Sequence, residues 1–126
     1  MKKFLLCLCA LVLMGAGPSP VKKLPDGGVL INTSSLKAED GFMGPTPLIL
    51  HLDAKGRITR IEALPNQETP EYWKMAFDEL CKAWYGVPAA QVASHKVDAV
   101  SGATYSSEGI ISNVRAGIAY YIDLRY

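Results

Sequence analysis

The chain has 126 residues, with 13 Lys and Arg against 12 Asp and Glu; 49% of its residues are hydrophobic and 20% are charged. This length accommodates a single domain, and the composition is that of a globular protein rather than a disordered or polytopic one. A formal net charge of +1 provides no basic face for nucleic acid, so we expect no nucleic-acid partner.

The first 17 residues have the order of a secretory signal peptide. Lys2 and Lys3 precede an uncharged run over residues 4–16, which ends in small residues. That run is shorter than the roughly 20 residues that a membrane-spanning helix needs. We therefore predict an exported protein in the periplasm or at the extracytoplasmic face of a membrane, with an uncleaved N-terminal anchor as the alternative.

A linker and a β-hairpin are predicted after the signal peptide. Residues 18–40 are interrupted by proline and glycine and are expected to be a linker, within which residues 29–31 are consistent with a short first strand. Leucines then occupy alternate positions of residues 48–52, as in a strand with one buried face. Asp53 and Gly56 provide the turn chemistry of a hairpin, after which the chain returns as a second strand.

Two amphipathic helices are predicted after the hairpin. Thr69 suits the N-cap of the first helix and Pro70 its first position, and Gly86 ends it. The second helix is expected over residues 107–122, where apolar side chains recur four apart. Strands followed by helices favour an α+β single domain, with a small antiparallel sheet packed against two main helices.

The apolar face of the first helix predicts core packing, rather than contact with a ligand, for Tyr72, Trp73, Phe77, Leu80, Cys81 and Trp84.

The segment from Asp98 to Ser107, just before the last helix, is chemically the most informative. Gly102 and Ala103 allow another group to approach the backbone closely, and Thr104 presents a hydroxyl near a helix N-terminus. Free N–H groups and the helix dipole favour a phosphate there, which the hydroxyl could bind or carry covalently. From the residues alone, a second interpretation stays open, in which these hydroxyls only cap the helix. That is the more common role of Ser and Thr residues just before a helix.

This segment resembles the flavinylation motif of the FMN-binding domain family, which is an Asp, two variable residues, Ser or Thr, then Gly-Ala-Thr. The family includes the flavin-bearing C subunit of sodium-translocating NADH:quinone reductases and the G subunit of Rnf complexes. The match places Asp98 at the acidic position, followed by Ser101, Gly102, Ala103 and Thr104.

Two further elements resemble the same family in the same order. Residues 66–70 resemble its Glu-Thr-Pro stretch, which lies against the flavin, and residues 41–44 match a looser glycine-containing element. From the residues alone, Glu68 would be solvated and Thr69 would be a helix cap. The resemblance implies that both contact the edge of the flavin ring, and the two interpretations are compatible. We assign residues 41–126 to an FMN-binding domain.

The resemblance implies an electron-carrying flavoprotein rather than a stand-alone enzyme. FMN would be joined through a phosphoester to Thr104, after a separate Mg-dependent flavin transferase takes it from FAD. The expected partners are that transferase and unidentified redox donor and acceptor proteins, membrane-bound ones among them. The cofactor-binding residues would be Thr104, Ser101, Gly102, Ala103, Glu68 and Thr69, with Asp98 in the flavinylation motif.

No metal site is expected, because His51 and His95 are isolated from other potential ligands in the sequence. No catalytic residue is expected either, because the resemblance implies that Thr104 is an acceptor that the transferase modifies. Three alternatives remain open. The chain could bind FMN non-covalently through residues 101–104, it could be an FMN-dependent reductase with its own small-molecule substrate, or it could be a flavin-free binding domain of the same fold.

Overall fold

The computed structural model describes residues 19–125, so the predicted signal peptide lies outside the described residues. Within them, four strands form one antiparallel sheet in the order β1-β2-β3-β4. The elements are strands β1 (Val21–Lys23), β2 (Val29–Asn32), β3 (Leu48–Leu52) and β4 (Ile58–Ala63), and helices α1 (Pro70–Trp84), α2 (Ala89–Val92) and α3 (Thr104–Arg125). This architecture confirms the predicted α+β domain with a small antiparallel sheet and two main helices.

The turn between β3 and β4 confirms the predicted hairpin. The carbonyl of Asp53 accepts a hydrogen bond from the N–H of Gly56 at 2.9 Å. The Asp53 carboxylate oxygen Oδ1 also accepts from the N–H groups of Lys55 at 2.9 Å and Arg57 at 3.0 Å. Gly56 has a φ of 79°, a conformation that favours glycine, so the residue types of this turn account for its geometry.

One face of the sheet forms the core of the domain. Along β3 the leucines at 48, 50 and 52 are buried, whereas Ile49 and His51 are half-buried on the opposite face. Helices α1 and α3 cover the first face. Each fully buried aliphatic side chain stabilises the fold by about 1.5–3 kcal/mol. Besides the three leucines, the core includes Val29, Ile31, Ile58, Ile61, Leu80, Cys81, Trp84, Val92, Ile110, Val114 and Ile118.

The structure differs from the sequence-based expectation in two places, an additional strand and the start of the last helix. Residues 18–40 contain two strands, and β1 pairs with β2 through Val21 opposite Ile31. A three-residue edge strand with two lysines has no local periodicity, so its pairing depends on the neighbouring strand. The last helix begins at Thr104 instead of residue 107, because the hydrogen bond from the Ser107 N–H to the Ala103 carbonyl already belongs to its helical ladder.

A buried amide sets the orientation of α3 on the sheet. The oxygen Oδ1 of Asn113 accepts a hydrogen bond from the Thr33 hydroxyl at 2.7 Å, and the nitrogen Nδ2 donates to the Thr46 hydroxyl at 3.3 Å. Thr33 follows β2 and Thr46 precedes β3, so one side chain of α3 holds both ends of the connection between these strands. Buried polar groups that lose such partners destabilise the fold, which ties the rotation of α3 to the sheet.

The same helix approaches the chain before β3 closely at Gly109. A Cβ atom on Gly109 would lie 2.7 Å from the Thr46 hydroxyl oxygen and 2.9 Å from the backbone nitrogen of Gly41. Only a glycine therefore allows α3 to contact this loop.

Within residues 19–125, none of the helices combines the length and hydrophobicity that crossing a membrane requires.

We expect Gly109→Ala to destabilise the domain, although alanine is the better helix former. The helix propensity gain is about 1 kcal/mol, and overpacking costs about 1–3 kcal/mol. The clash prevails because it involves backbone atoms of Gly41, which cannot rotate away. The comparison is Gly117→Ala, whose Cβ would meet methyl groups of Leu50 and Thr33. Urea unfolding checks this, and Gly109→Ala proving the more stable of the two variants would contradict it.

The Cys81 thiol is expected to be unreactive in the folded protein. It is only 3% exposed, and burial raises its pKa to about 12. At pH 8 about one thiol in 10⁴ is then ionised, and only the thiolate reacts with alkylating agents. Peptide-resolved mass spectrometry after iodoacetamide treatment checks this; Cys81 should be alkylated in guanidinium and protected in buffer. Equal labelling in both conditions would show that the thiol is accessible.

Candidate functional site

A groove lies at the end of the sheet where β3 begins and β4 ends. Since the two strands are antiparallel, the chain before β3 meets the chain after β4, and the N–H of Leu64 donates to the carbonyl of Pro47 at 3.1 Å. The start of α3 closes the same end. These three segments bound a volume of about 180 Å³, lined by Phe42, Glu68, Thr69, Tyr72, Gly102, Ala103, Thr104, Tyr105 and Ser106.

Glu68 joins the three segments through its carboxylate. Oε1 accepts hydrogen bonds from the Phe42 N–H at 2.8 Å and the Ser106 hydroxyl at 2.6 Å. Oε2 accepts from the Met43 N–H at 2.6 Å. The residue is 6% exposed, so the expectation that it would be solvated is wrong. Its charge is offset by three donors and by the positive end of α3, to which Ser106 belongs.

The loop before β3 is shaped around this carboxylate. A Cβ atom on Gly41 would lie 2.5 Å from Oε1 of Glu68, so this position has no room for a side chain. The Gly41 N–H also donates to the Gly44 carbonyl at 2.8 Å, which closes a tight turn. The contact with Glu68 therefore explains why the element over residues 41–44 has a glycine at position 41.

Helix α1 begins beside the groove and contributes two residues to its lining. Thr69 stands at the N-cap position, but its side chain makes no capping hydrogen bond and is exposed in the groove. Tyr72 is 52% exposed, so the prediction that it packs in the core is wrong. Trp73 and Phe77 do contact the core and stack on each other, with ring centroids 5.4 Å apart.

A tight turn leads into α3 on the other side of the groove. The Ala103 N–H donates to the Val100 carbonyl at 2.9 Å, and Gly102 has a φ of 87°, a conformation that suits glycine. The Val100 N–H in turn donates to the Ser107 hydroxyl at 3.0 Å. The loop is thus held against the first turn of the helix that follows it.

The serine and threonine hydroxyls in the first turn of α3 differ in their surroundings. Ser106 donates to Glu68, Ser107 accepts from Val100, and both side chains are buried. Thr104, the first residue of the helix, is exposed and lines the groove. The hydrogen bond from the Ser107 N–H to the Ala103 carbonyl starts the helical ladder, so the amides before it lie at the positive helix end.

Five of the seven predicted site residues lie together in the groove: Glu68, Thr69, Gly102, Ala103 and Thr104. Ser101 is exposed and does not line it. Asp98 is also exposed and lines a separate depression with Glu39, Glu108 and Arg115. Over the part of the chain that the structure describes, His, Cys, Asp and Glu side chains form no group of three that could hold a metal ion.

The sequence did not predict four of the lining residues as site residues: Phe42, Tyr72, Tyr105 and Ser106. Tyr105 and Ser106 adjoin the flavinylation motif, so their proximity to Thr104 was available as a signal. Phe42 lies within the element over residues 41–44 that resembles the family, which was also a signal. Tyr72 gave none, because an exposed aromatic residue and a buried one look the same in the sequence.

The fold and groove define a small α+β domain that presents a threonine hydroxyl at a helix N-terminus beside exposed aromatic side chains. A family model for the FMN-binding domain matches residues 41–119, which is more than half of the chain. The chain therefore belongs to the FMN-binding domain family and is a flavin-binding protein, as the resemblance in its motifs predicted. No curated protein gives a significant sequence match to the chain.

The residues of the groove fit FMN. The exposed Thr104 hydroxyl and the amides of the first turn of α3 suit a phosphate. A Cβ atom on Gly102 would meet no other atom within 4 Å, which leaves that side open to a ligand. The aromatic side chains around the groove suit a flat ring system. The volume of about 180 Å³ is below the about 300–1,000 Å³ of typical ligand pockets, so only part of a flavin would be enclosed.

We expect Glu68→Gln to destabilise the domain by about 1–3 kcal/mol, the cost of losing a buried hydrogen bond to a charged group. An amide has one acceptor oxygen, so its NH₂ group would face one of the three donors that the carboxylate now satisfies. The matched control is Glu108→Gln on the exposed side of α3, with an expected change within about 0.5 kcal/mol. Equal unfolding midpoints in urea would contradict a structural role for Glu68.

Proposed function

We propose that this chain carries FMN covalently, through a phosphoester between the FMN phosphate and the Thr104 hydroxyl, and works as an electron carrier outside the cytoplasm. One observation carries the proposal: within the first turn of α3, the Thr104 hydroxyl is exposed to the groove while those of Ser106 and Ser107 are buried and hydrogen-bonded. Among the serine and threonine residues of this turn, Thr104 is thus the one whose hydroxyl is open, at the helix end that favours a phosphate.

The attachment would use FAD as the donor. The Thr104 oxygen would form a bond to the phosphorus of the FMN half, the pyrophosphate bond would break, AMP would leave and the hydroxyl proton would be released. Of the described residues that line the groove, only Glu68 is charged, and it is poorly placed to act as a base because its oxygens already accept three hydrogen bonds. A separate Mg-dependent flavin transferase would therefore supply the catalysis, with Thr104 as the acceptor.

The helix end would stabilise the product of this attachment. A phosphoester keeps a negative charge, and the amides and dipole of α3 favour a negative charge beside its first residue. Bound FMN supplies redox chemistry, while the protein contributes its binding, orientation and electrostatic surroundings. Thr104 would fix the phosphate end, and the other groove residues would orient the ring.

A covalent link suits a groove of this size. About 180 Å³ encloses only part of a flavin, and a tether keeps the effective concentration of the cofactor high without a fully enclosing pocket. The signal-peptide order of residues 1–17 supports export, and outside the cytoplasm a dissociated FMN would be lost by dilution. The proposed partners are the flavin transferase and redox proteins, including membrane-bound ones, that donate and accept electrons.

We expect Thr104→Ala to abolish covalent flavin and to change the unfolding free energy by no more than about 1 kcal/mol, because an exposed hydroxyl at a helix start contributes only as a cap. The measurement is the intact mass under denaturing conditions after co-expression with a flavin transferase. The unsubstituted chain should gain one FMN less water, and so should the control Thr59→Ala, an exposed threonine on β4.

Two outcomes would contradict the assignment. A mass gain in Thr104→Ala would place the link on another residue. A chain that stays unmodified, beside a second substrate that the same transferase modifies, would exclude the covalent link; flavin that then co-purifies and separates on denaturation would indicate non-covalent FMN binding.

A further inference from the structure

Large hydrophobic side chains are exposed around the groove. In the described part of the chain the exposed large hydrophobic residues are Phe42, Met43, Tyr72, Met75, Tyr85, Tyr105 and Leu124. Three of them, Phe42, Tyr72 and Tyr105, line the groove beside Thr104, with exposed fractions of 66%, 52% and 61%. Clustered exposed apolar surface is typical of a site that binds something, whereas single exposed side chains are ordinary.

The three aromatic residues come from three different segments that meet only in the folded domain. Phe42 lies in the loop before β3, Tyr72 in the first turn of α1 and Tyr105 at the start of α3. The rings of Phe42 and Tyr105 are in contact, with centroids 5.6 Å apart and planes inclined by 41°. Tyr105 directly follows Thr104, so this pair of rings stands next to the proposed attachment point.

The backbone under Phe42 is held in place by Glu68. The carboxylate accepts the N–H groups of Phe42 and its neighbour Met43, at 2.8 and 2.6 Å. The same carboxylate accepts the Ser106 hydroxyl, one residue beyond Tyr105. Glu68 thus fixes the loop that carries Phe42 relative to the helix that carries Tyr105.

We propose that Phe42, Tyr72 and Tyr105 form an aromatic clamp that contacts the isoalloxazine ring of the flavin, and that Glu68 is the positioning residue of Phe42. The proposal rests on the covalent function above, because attachment at Thr104 brings the ring to this groove. The ring is a flat aromatic system with two apolar faces, for which aromatic side chains are suitable partners. The oxygens of Glu68 are already engaged, so the remaining recognition surface of the groove is largely apolar.

The clamp has a spectroscopic consequence that a merely structural role would not produce. A tyrosine in contact with an excited flavin donates an electron to it, and the electron returns without emission, so the flavin fluorescence is quenched. Phenylalanine is much harder to oxidise and does not quench in this way. Replacing tyrosine by phenylalanine keeps the packing and removes the quencher.

The decisive experiment uses the full chain co-expressed with a flavin transferase, with loading measured by intact mass. The variant is the double substitution Tyr72→Phe and Tyr105→Phe. The control is Tyr85→Phe, an exposed tyrosine just beyond the other end of α1, about 20 Å along the helix from Tyr72. At equal loading we expect the native flavin fluorescence of the double variant to be at least about twofold that of the unsubstituted chain and the control, with equal fluorescence after unfolding.

A second pair of variants tests Phe42 and its positioning. Phe42→Ala should raise the accessibility of the flavin to iodide, measured as the quenching constant, by about twofold. Met43→Ala is the matched control, since this exposed neighbour does not line the groove. Glu68→Gln should change iodide accessibility in the same direction as Phe42→Ala, with native circular dichroism at the temperature of the measurement.

The possible failures are distinguishable. Equal loading with unchanged native fluorescence in the double tyrosine variant, and unchanged iodide quenching in Phe42→Ala, would overturn the clamp and leave the covalent function standing. An unsubstituted chain that gains no mass would overturn the covalent function and the clamp with it.

Discussion

Three hydrogen-bond donors converge on the carboxylate of Glu68, from positions 26 residues earlier, 25 residues earlier and 38 residues later in the chain. A buried carboxylate is tolerated only while its oxygens are hydrogen-bonded, because an unpaired buried charge is costly. The loop before β3 and the first turn of α3 cannot separate from Glu68 without leaving that charge unpartnered. The geometry of the groove therefore depends on this one side chain.

The close packing around Glu68 extends the same constraint into the sheet. Gly41 and Gly109 lack side chains where the loop touches both the carboxylate and α3. One turn further along α3, Asn113 binds the threonines at the ends of the β2–β3 connection. The sheet, the loop and the helix are thus connected by short polar and steric contacts. As a result, the start of α3 and the hydroxyl of Thr104 have a defined position at the groove.

The groove combines a firm frame with an exposed surface. Ser106 and Ser107 contribute their hydroxyls to the frame, whereas Thr104 and three aromatic rings remain open to solvent. A groove of this size offers contact to only part of a flavin. The proposed covalent link resolves this, because attachment at Thr104 makes contact with the ring an intramolecular event. A partly enclosed flavin would also be open to a redox partner, as the proposed electron carrier requires.

The sequence alone determined the hairpin, the apolar faces of α1 and α3, the α+β class and the motif that places the chain among FMN-binding domains, since each depends on residues close together in the chain. Only the tertiary structure decided that β1 joins the sheet, that Glu68 is buried, that Asp98 lies outside the groove and that Tyr72 faces it. These properties arise from contacts between distant segments. Strand pairing at an edge and the burial of a carboxylate depend on which partners the fold supplies, and no local periodicity encodes those partners.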